Sequence, residues 1–197
     1  MEKIEFILSN DDFFEIYSDM LTQFPKCEMK SKKQFSELLK NPDYCAYSIR
    51  ISGIKAGYVI LFKDKINKTL WLDYIAIFKK HQSKGFGTKI FETMKKTFSE
   101  FSGMWIEVEK PDNNRQETFK RIKFYKKIGA KLINENYIYP NRENGLAMDL
   151  YFLPYCPNNT ICTEKMNKCI KNVFETLHYD VKDCDLIFEK IKKRSQR

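Results

Sequence analysis

The chain has 197 residues, of which 43% are hydrophobic and 15% aromatic, enough apolar content to bury a core and to exclude a disordered chain. Lys plus Arg outnumber Asp plus Glu by 35 to 26, a formal +9. The basic residues are scattered among acids, and the one dense cluster is Lys192-Lys193-Arg194. That distribution reads as a lysine-rich solvated surface with part of its charge near a phosphate-bearing ligand, and not as a nucleic-acid stripe.

The N-terminal stretch Met1 to Leu8 alternates charged and apolar residues and lacks the continuous apolar run of a signal peptide. No run of about 18 apolar residues occurs, so no spanning helix and no membrane partner are expected. Six cysteines and two histidines are present, with no Cys-x-x-Cys pair; no metal site is expected. Free thiols without an export signal point to the cytoplasm.

In chain order, residues 3–8 read as a first strand and residues 11–40 as one or two helices, with Phe14, Tyr17, Met20 and Leu21 at helical spacing and a second piece through Phe35, Leu38 and Leu39. Ala46 to Ile51 and Gly57 to Phe62 are strand-like and flank Ser52-Gly53, a hairpin signal. Leu70 to Ile77 is a mostly apolar strand. A lysine-rich connector and Gly85-Phe86-Gly87 lead into a helix with Ile90, Phe91, Met94 and Phe98 on one stripe. Met104 to Glu109 is a strand. A helix follows with Phe119, Ile122, Tyr125 and Ile128 as its stripe and Gly129 at its C-cap. Strands at 131–138 and 146–153 finish this part. From Thr163 on, Met166, Cys169, Ile170, Val173, Phe174 and Leu177, then Cys184, Ile187, Phe188 and Ile191, recur at helical spacing. These two stripes must bury against the main domain or another subunit. Interleaved strands and helices define a mixed α/β layer fold.

A strand running through glycines into a helix is a recipe for binding phosphate, because the first-turn N–H groups are unpaired and the helix dipole favours an anion there. Gln82-Ser83-Lys84-Gly85-Phe86-Gly87-Thr88 fits it, with Lys79, Lys80 and Lys84 as added charge. A dinucleotide fingerprint would need a glycine or alanine where Ile90 stands, and a Walker loop needs a Gly-Lys pair that is absent. An ordinary strand-to-helix turn containing glycine accounts for the same residues.

Gln82, Gly85 and Gly87 in this context resemble the Gln/Arg-x-x-Gly-x-Gly/Ala signature of the GNAT N-acetyltransferase superfamily. Tyr74-Ile75-Ala76-Ile77 before it, Ile106 to Pro111 after it, and Arg121 to Ala130 agree in order and spacing. The resemblance covers roughly residues 3–154. It implies a GNAT domain over 1–154, built on a central mixed, splayed β-sheet flanked by helices, and a C-terminal helical extension over 155–197. It further implies acetyl-CoA as cofactor. The pantetheine arm would lie along Ile75, Ala76 and Ile77 like an added strand, and the pyrophosphate on the N–H groups of Gln82, Ser83, Lys84, Gly85, Phe86, Gly87 and Thr88. Backbone donors in the strand would steady the oxyanion. Thr118 stands where the family often carries asparagine, and Gly129-Ala130 replaces the family's Gly-Phe.

Tyr125 matches the family tyrosine and is the expected proton donor to the departing thiolate, although packing beside Ile122 and Ile128 explains it equally. For the base, Asp73 interrupts an apolar strand on the face bearing Trp71, and Glu107 and Glu109 share a face of the next strand. The two glutamates on one face could bind an ammonium group, or one could relay its proton through water; a solvated outer face gives the same pattern. Trp71, Tyr137, Tyr139 and Pro140 are candidates for the acceptor pocket. Cysteine catalysis is disfavoured, since none of the cysteines lies next to those strands.

The expected function is acetyl transfer from acetyl-CoA to a primary amine on a small molecule, by direct attack in a ternary complex. The alternatives are a protein or peptide N-acetyltransferase, a non-catalytic acyl-CoA sensor or partner-binding module using the helical tail, and a nucleic-acid binder. The tail leaves a homodimer open.

Overall fold

The computed structural model describes residues 2–10, 13–142 and 145–195. Asp11 and Asp12, read as opening the first helical segment, and Met1 and the last two residues of the tail lie outside them. Seven strands, β1 (Ile4–Leu8), β2 (Tyr44–Ile51), β3 (Ile54–Asp64), β4 (Thr69–Ile77), β5 (Gly103–Glu109), β6 (Lys131–Tyr139) and β7 (Leu146–Pro154), form a sheet in the order β1-β2-β3-β4-β5-β7-β6. The helices are α1 (Phe13–Gln23), α2 (Lys32–Leu38), α3 (Phe86–Thr97), α4 (Gln116–Lys127), α5 (Thr163–Leu177) and α6 (Cys184–Ser195). Every element read from the sequence is present, in order. None of the helices, among the described residues, is long and apolar enough to cross a membrane. By contacts the chain divides into two units, Met1–Lys63 with Leu72–Glu100, and Asp64–Trp71 with Phe101–Arg197.

In the first unit β1 and β2 pair antiparallel, as do β2 and β3. The β2–β3 turn places Ser52 and Gly53 at φ of 50° and 82°. Two successive left-handed residues match the right-handed twist of a hairpin, which is why the Ser-Gly pair sits there. Gly57 lies on β3 where a Cβ would come within 2.2 Å of the Ala76 carbonyl oxygen of β4, so glycine alone permits the strands to approach there. The buried side chains of this unit include Ile16 and Met20 of α1, Phe35 of α2, Ile49, Val59 and Ile60 of the hairpin, and Met94 of α3; Val59 and Ile60, adjacent on β3, face opposite sides of the sheet. A capping box starts α2: Gln34 N–H donates to Ser31 Oγ at 3.2 Å and Ser31 N–H to Gln34 Oε1 at 3.3 Å.

In the second unit β5 pairs antiparallel with β7, and β7 with β6. All six stripe residues expected on α5 are buried, with Ile187 and Ile191 of α6. Their partner is the chain itself: α5 packs on α6, α6 on β6, and the Phe174 ring lies 6.2 Å from Tyr137 of β6. The stripe expected on α4 needs correction. Phe119 is 39% exposed, whereas Thr118 and Tyr125 are buried. Thr118 and Tyr125 are seven residues apart, two turns along one face, and Phe119 lies about 100° off it. The end of α4 is a Schellman motif. Gly129, at φ 94°, donates to Lys126 O and Ala130 N–H donates to Tyr125 O at 3.0 Å.

Ile170 is fully buried in α5. Ile170→Ala is expected to lower stability by about 2–5 kcal/mol, read as a lower denaturation midpoint at unchanged slope in urea.

Candidate active site

The glycine-containing loop belongs to the first unit. After β4 the chain makes one 3-10 turn at Lys79–His81 and enters α3 through two left-handed residues, Ser83 at φ 62° and Gly85 at φ 76°. Gly85 is the N-cap of α3, and it makes no side-chain capping bond. A Cβ at 85 would meet nothing within 4 Å; the backbone angle, and not space, requires glycine. The first-turn N–H groups therefore face outward at the positive end of the helix dipole. Lys79, Lys80 and Lys84 are exposed around them. Burial, helped by the Lys80 and Lys84 charges, holds His81 below the ordinary histidine value, so it adds no charge at neutral pH. This donor set fits a pyrophosphate.

Gln82 has a different task from the rest of its motif. Its Nε2 donates to the Ile77 carbonyl at 2.7 Å and to Gln23 Oε1 at 3.2 Å. The side chain ties the loop to the end of β4 and takes one of the two lone pairs of Ile77. Phe78 N–H, one residue on, donates to Ala56 O of β3. The segment Ile75, Ala76, Ile77 is thus held from both sides of the strand end.

Asp73 is enclosed in the same unit. Its Oδ1 accepts from Lys30 Nζ at 2.6 Å and its Oδ2 from the Tyr44 hydroxyl. The Lys30 and Asp73 side chains are 3% and 1% exposed, although the Asp73 residue as a whole is half-buried because its backbone is reached from outside. The side-chain figure decides the chemistry. Lys30 also lies 5.2 Å from the centroid of the Tyr74 ring, and its backbone N–H donates to Tyr74 Oη, which itself donates to Glu28 O. One ion pair and one tyrosine therefore fasten the loop between α1 and α2 to β4.

The second unit gathers three of the remaining candidates. Glu107 accepts from Trp71 Nε1 at 3.1 Å and from the Tyr137 hydroxyl. Trp71 and Tyr137 are buried, with ring centroids 6.3 Å apart. Tyr139 and Pro140 are buried too; the Tyr139 ring stands edge-on to His178 at 5.1 Å. Glu109, two residues beyond Glu107, pairs instead with Arg121 of α4, and with Arg115 at 3.7 Å. The two glutamates do not share one ammonium site, because Glu109 already holds a guanidinium. Tyr125 is buried, and burial, the largest cause, pushes its phenol up to about 12; Arg121 lowers it and Glu109 raises it. Thr118 is also occupied: its Oγ1 donates to Arg115 O at 2.8 Å and accepts from Asp112 N–H at 3.0 Å. It fixes the loop before α4.

Nothing local in the sequence marks Lys30, one lysine among many in a connector. Arg121 did leave a signal, its four-residue spacing from Tyr125 on one helix. All six cysteines are free thiols. Among the described residues no group of three or more His, Cys, Asp or Glu could hold a metal ion.

A sheet whose fourth strand leads through a left-handed glycine into the N-terminus of a helix is an α/β architecture with anion-accepting amides at that helix end. The model of the acetyltransferase (GNAT) family matches residues 10–130, which include β4, the loop and α4. The chain belongs to the GNAT family and is an acyl-CoA-dependent N-acetyltransferase. It is 25% identical over 167 residues to YjbC of Bacillus subtilis (strain 168), a protein named as a candidate acetyltransferase, covering 82% of this chain and 80% of YjbC. A GNAT-family structure from Bacteroides thetaiotaomicron superimposes with a TM-score of 0.72 at 19% identity, over 91% of this chain and 99% of that one. Spermidine N-acetyltransferase from Vibrio cholerae, solved with CoA and spermine, gives a TM-score of 0.54 at 15% identity, over 77% and 93%. The two structures share the fold.

Removing one partner of a buried ion pair leaves the other uncompensated, whereas replacing both with apolar groups does not. Lys30→Met is expected to cost about 3–5 kcal/mol, and Lys30→Met/Asp73→Leu to recover most of it in urea unfolding. Additive losses would show that the pair does not couple.

Proposed function

We propose that this chain transfers the acetyl group of acetyl-CoA to a primary amine by direct attack in a ternary complex, with a small molecule as acceptor. The observation that carries the reading is the Gly85 turn into the uncapped N-terminus of α3, beside three exposed lysines. Ser83 to Thr88 would hold the pyrophosphate on their backbone N–H groups, the Gln82 N–H being already donated to Lys79 O at 3.2 Å, and Ile75 to Ile77 would hold the pantetheine arm as an added strand. Acetyl-CoA supplies an acyl group already activated as a thioester.

Tyr125 supplies the proton for the thiolate. With its phenol pushed up to about 12, it carries that proton throughout the neutral range. Between the carboxylates, Glu107 is the better base. Its two named donors, Trp71 and Tyr137, are neutral, whereas both oxygens of Asp73 are engaged by Lys30 and Tyr44 in a closed site. Glu107 would take the amine proton directly or through one water, and Asp73 would hold the α1–α2 loop. The fold is shared by a spermidine N-acetyltransferase and by a ribosomal-protein alanine N-acetyltransferase, so the acceptor panel below holds both small amines and peptides.

A thermal-shift titration tests the cofactor first. Ligand at 100 times its Kd adds about 2.7 kcal/mol, so acetyl-CoA and CoA should raise Tm while NAD should not; Gly85→Val should abolish the shift. No shift with either CoA species would remove the reading. Turnover then tests the acid: against a panel of small amines and peptides, Tyr125→Phe should lower kcat by about 10²–10⁴-fold with the CoA-induced shift intact. Activity confined to peptides would replace the small acceptor by a protein one.

A further inference from the structure

Glu107 is held by side chains from two other strands. Trp71 Nε1, near the start of β4, donates to its Oε2 at 3.1 Å, and the Tyr137 hydroxyl of β6 donates to its Oε1 at 2.5 Å. Tyr137 reaches the carboxylate across β7. Glu107 pairs with Leu150 and Glu109 with Met148, and Met148 pairs in turn with Tyr137, so these side chains lie on one face of the sheet.

Strand β6 reaches that register only through two offsets. Lys131 and Leu132 face Phe152 and Tyr151, but the pairing slips by one residue before Asn134 and by one more before Tyr137. A ladder continued without them from Leu132 would set Glu135 opposite Met148, a further carboxylate on the Glu107 face, where Tyr137 now stands. The offset segment is pinned at two points. Asn134, a buried polar residue, accepts the Asn136 N–H on Oδ1 at 2.8 Å. The Glu135 carbonyl accepts from Lys110 Nζ, which also pairs with Asp149. The charged groups sharing these strand faces are engaged elsewhere, Glu109 of β5 by Arg121 and Arg115 and Asp73 of β4 by Lys30. Around Tyr137, β7 presents Met148 and Leu150 and α5 presents Phe174, with His178 5.9 Å from the Phe174 ring.

We propose that Tyr137 is a positioning residue, turned onto Glu107 by the offset in β6, that fixes the carboxylate and favours its ionised form. The proposal rests on Glu107 as the base. A base takes the amine proton only while ionised, and a hydrogen bond donated to the ionised form stabilises that form. Asn134 acts one step further back, through the backbone that aims the phenol.

The test follows the indole N–H resonance of Trp71 against pH in the full chain labelled with nitrogen-15, with a thermal melt to confirm folding. Trp71→Phe assigns the signal between the two tryptophans, and the titrating step should vanish in Glu107→Gln; a step that survives there overturns the contact. Tyr137→Phe should raise the midpoint by about one to two pH units, the loss of one hydrogen bond to a charged group. Asn134→Ala should raise it as well, and Asn134→Ser, which keeps an oxygen for the Asn136 N–H, should return it toward the parent. Asn134→Ala/Tyr137→Phe should match Tyr137→Phe alone; additive shifts would overturn the link through the offset. A tyrosine that merely packs would give a lower Tm in Tyr137→Phe with the midpoint unmoved, which overturns the proposal. Should Asn134→Ala fail to fold, Tyr137→Phe, which keeps the ring, decides. Unchanged turnover of the amine and peptide panel in Glu107→Gln would overturn the base role, and with it the functional meaning of the contact. An inactive Glu107→Gln with an immobile midpoint in Tyr137→Phe would overturn the positioning alone.

Discussion

The first turn of α3 has amides with no carbonyl of their own to meet, and much of the first unit is arranged around that fact. The chain leaves β4 and turns through Ser83 and Gly85 in the left-handed region, which delivers the helix end without a capping side chain. Gln82 and Phe78 hold the departing strand end to Gln23, Ile77 and Ala56. The first-turn amides, framed by lysines, are the feature an anion needs.

Charge inside the protein follows the opposite logic. Lys30 and Asp73 are nearly inaccessible and satisfy each other, with Tyr44 and Tyr74 completing the set. Glu107 is held by neutral donors, and Glu109 by guanidinium groups. Three carboxylates that look alike on alternating strands are thus in three different electrostatic states. One fastens a loop, one accepts from an indole and a phenol, and one pairs with the guanidinium groups of Arg115 and Arg121.

The fold was legible because its signals are periodic and local. The α5 stripe from Met166 to Leu177, the Ser52-Gly53 turn and the Gly129 cap each announce themselves within a dozen residues. The α4 stripe misled through Phe119, since an apolar side chain on a mostly charged helix need not face inward, and Thr118, a polar residue, is the one buried. The site was legible only where backbone chemistry dictates residue type, as at Gly85. Nothing local marks Lys30 as the partner of a residue 43 positions away, because pairing across that distance is a property of the assembled fold. Alternation placed Glu107 and Glu109 on one face correctly, but it could not say that their partners lie on different elements.

The Schellman motif at the end of α4 joins two properties usually considered apart. Tyr125 receives the closing bond from Ala130, and that bond exists only while Gly129 stays left-handed at φ 94°. An L-residue with a branched side chain at 129 would favour the other hand and let the last turn relax. The aim of the phenol is in this sense a matter of chirality. Selection on the enzyme can therefore act through a residue that touches no ligand, and sequence drift at 129 is narrowed by the handedness of a single peptide unit.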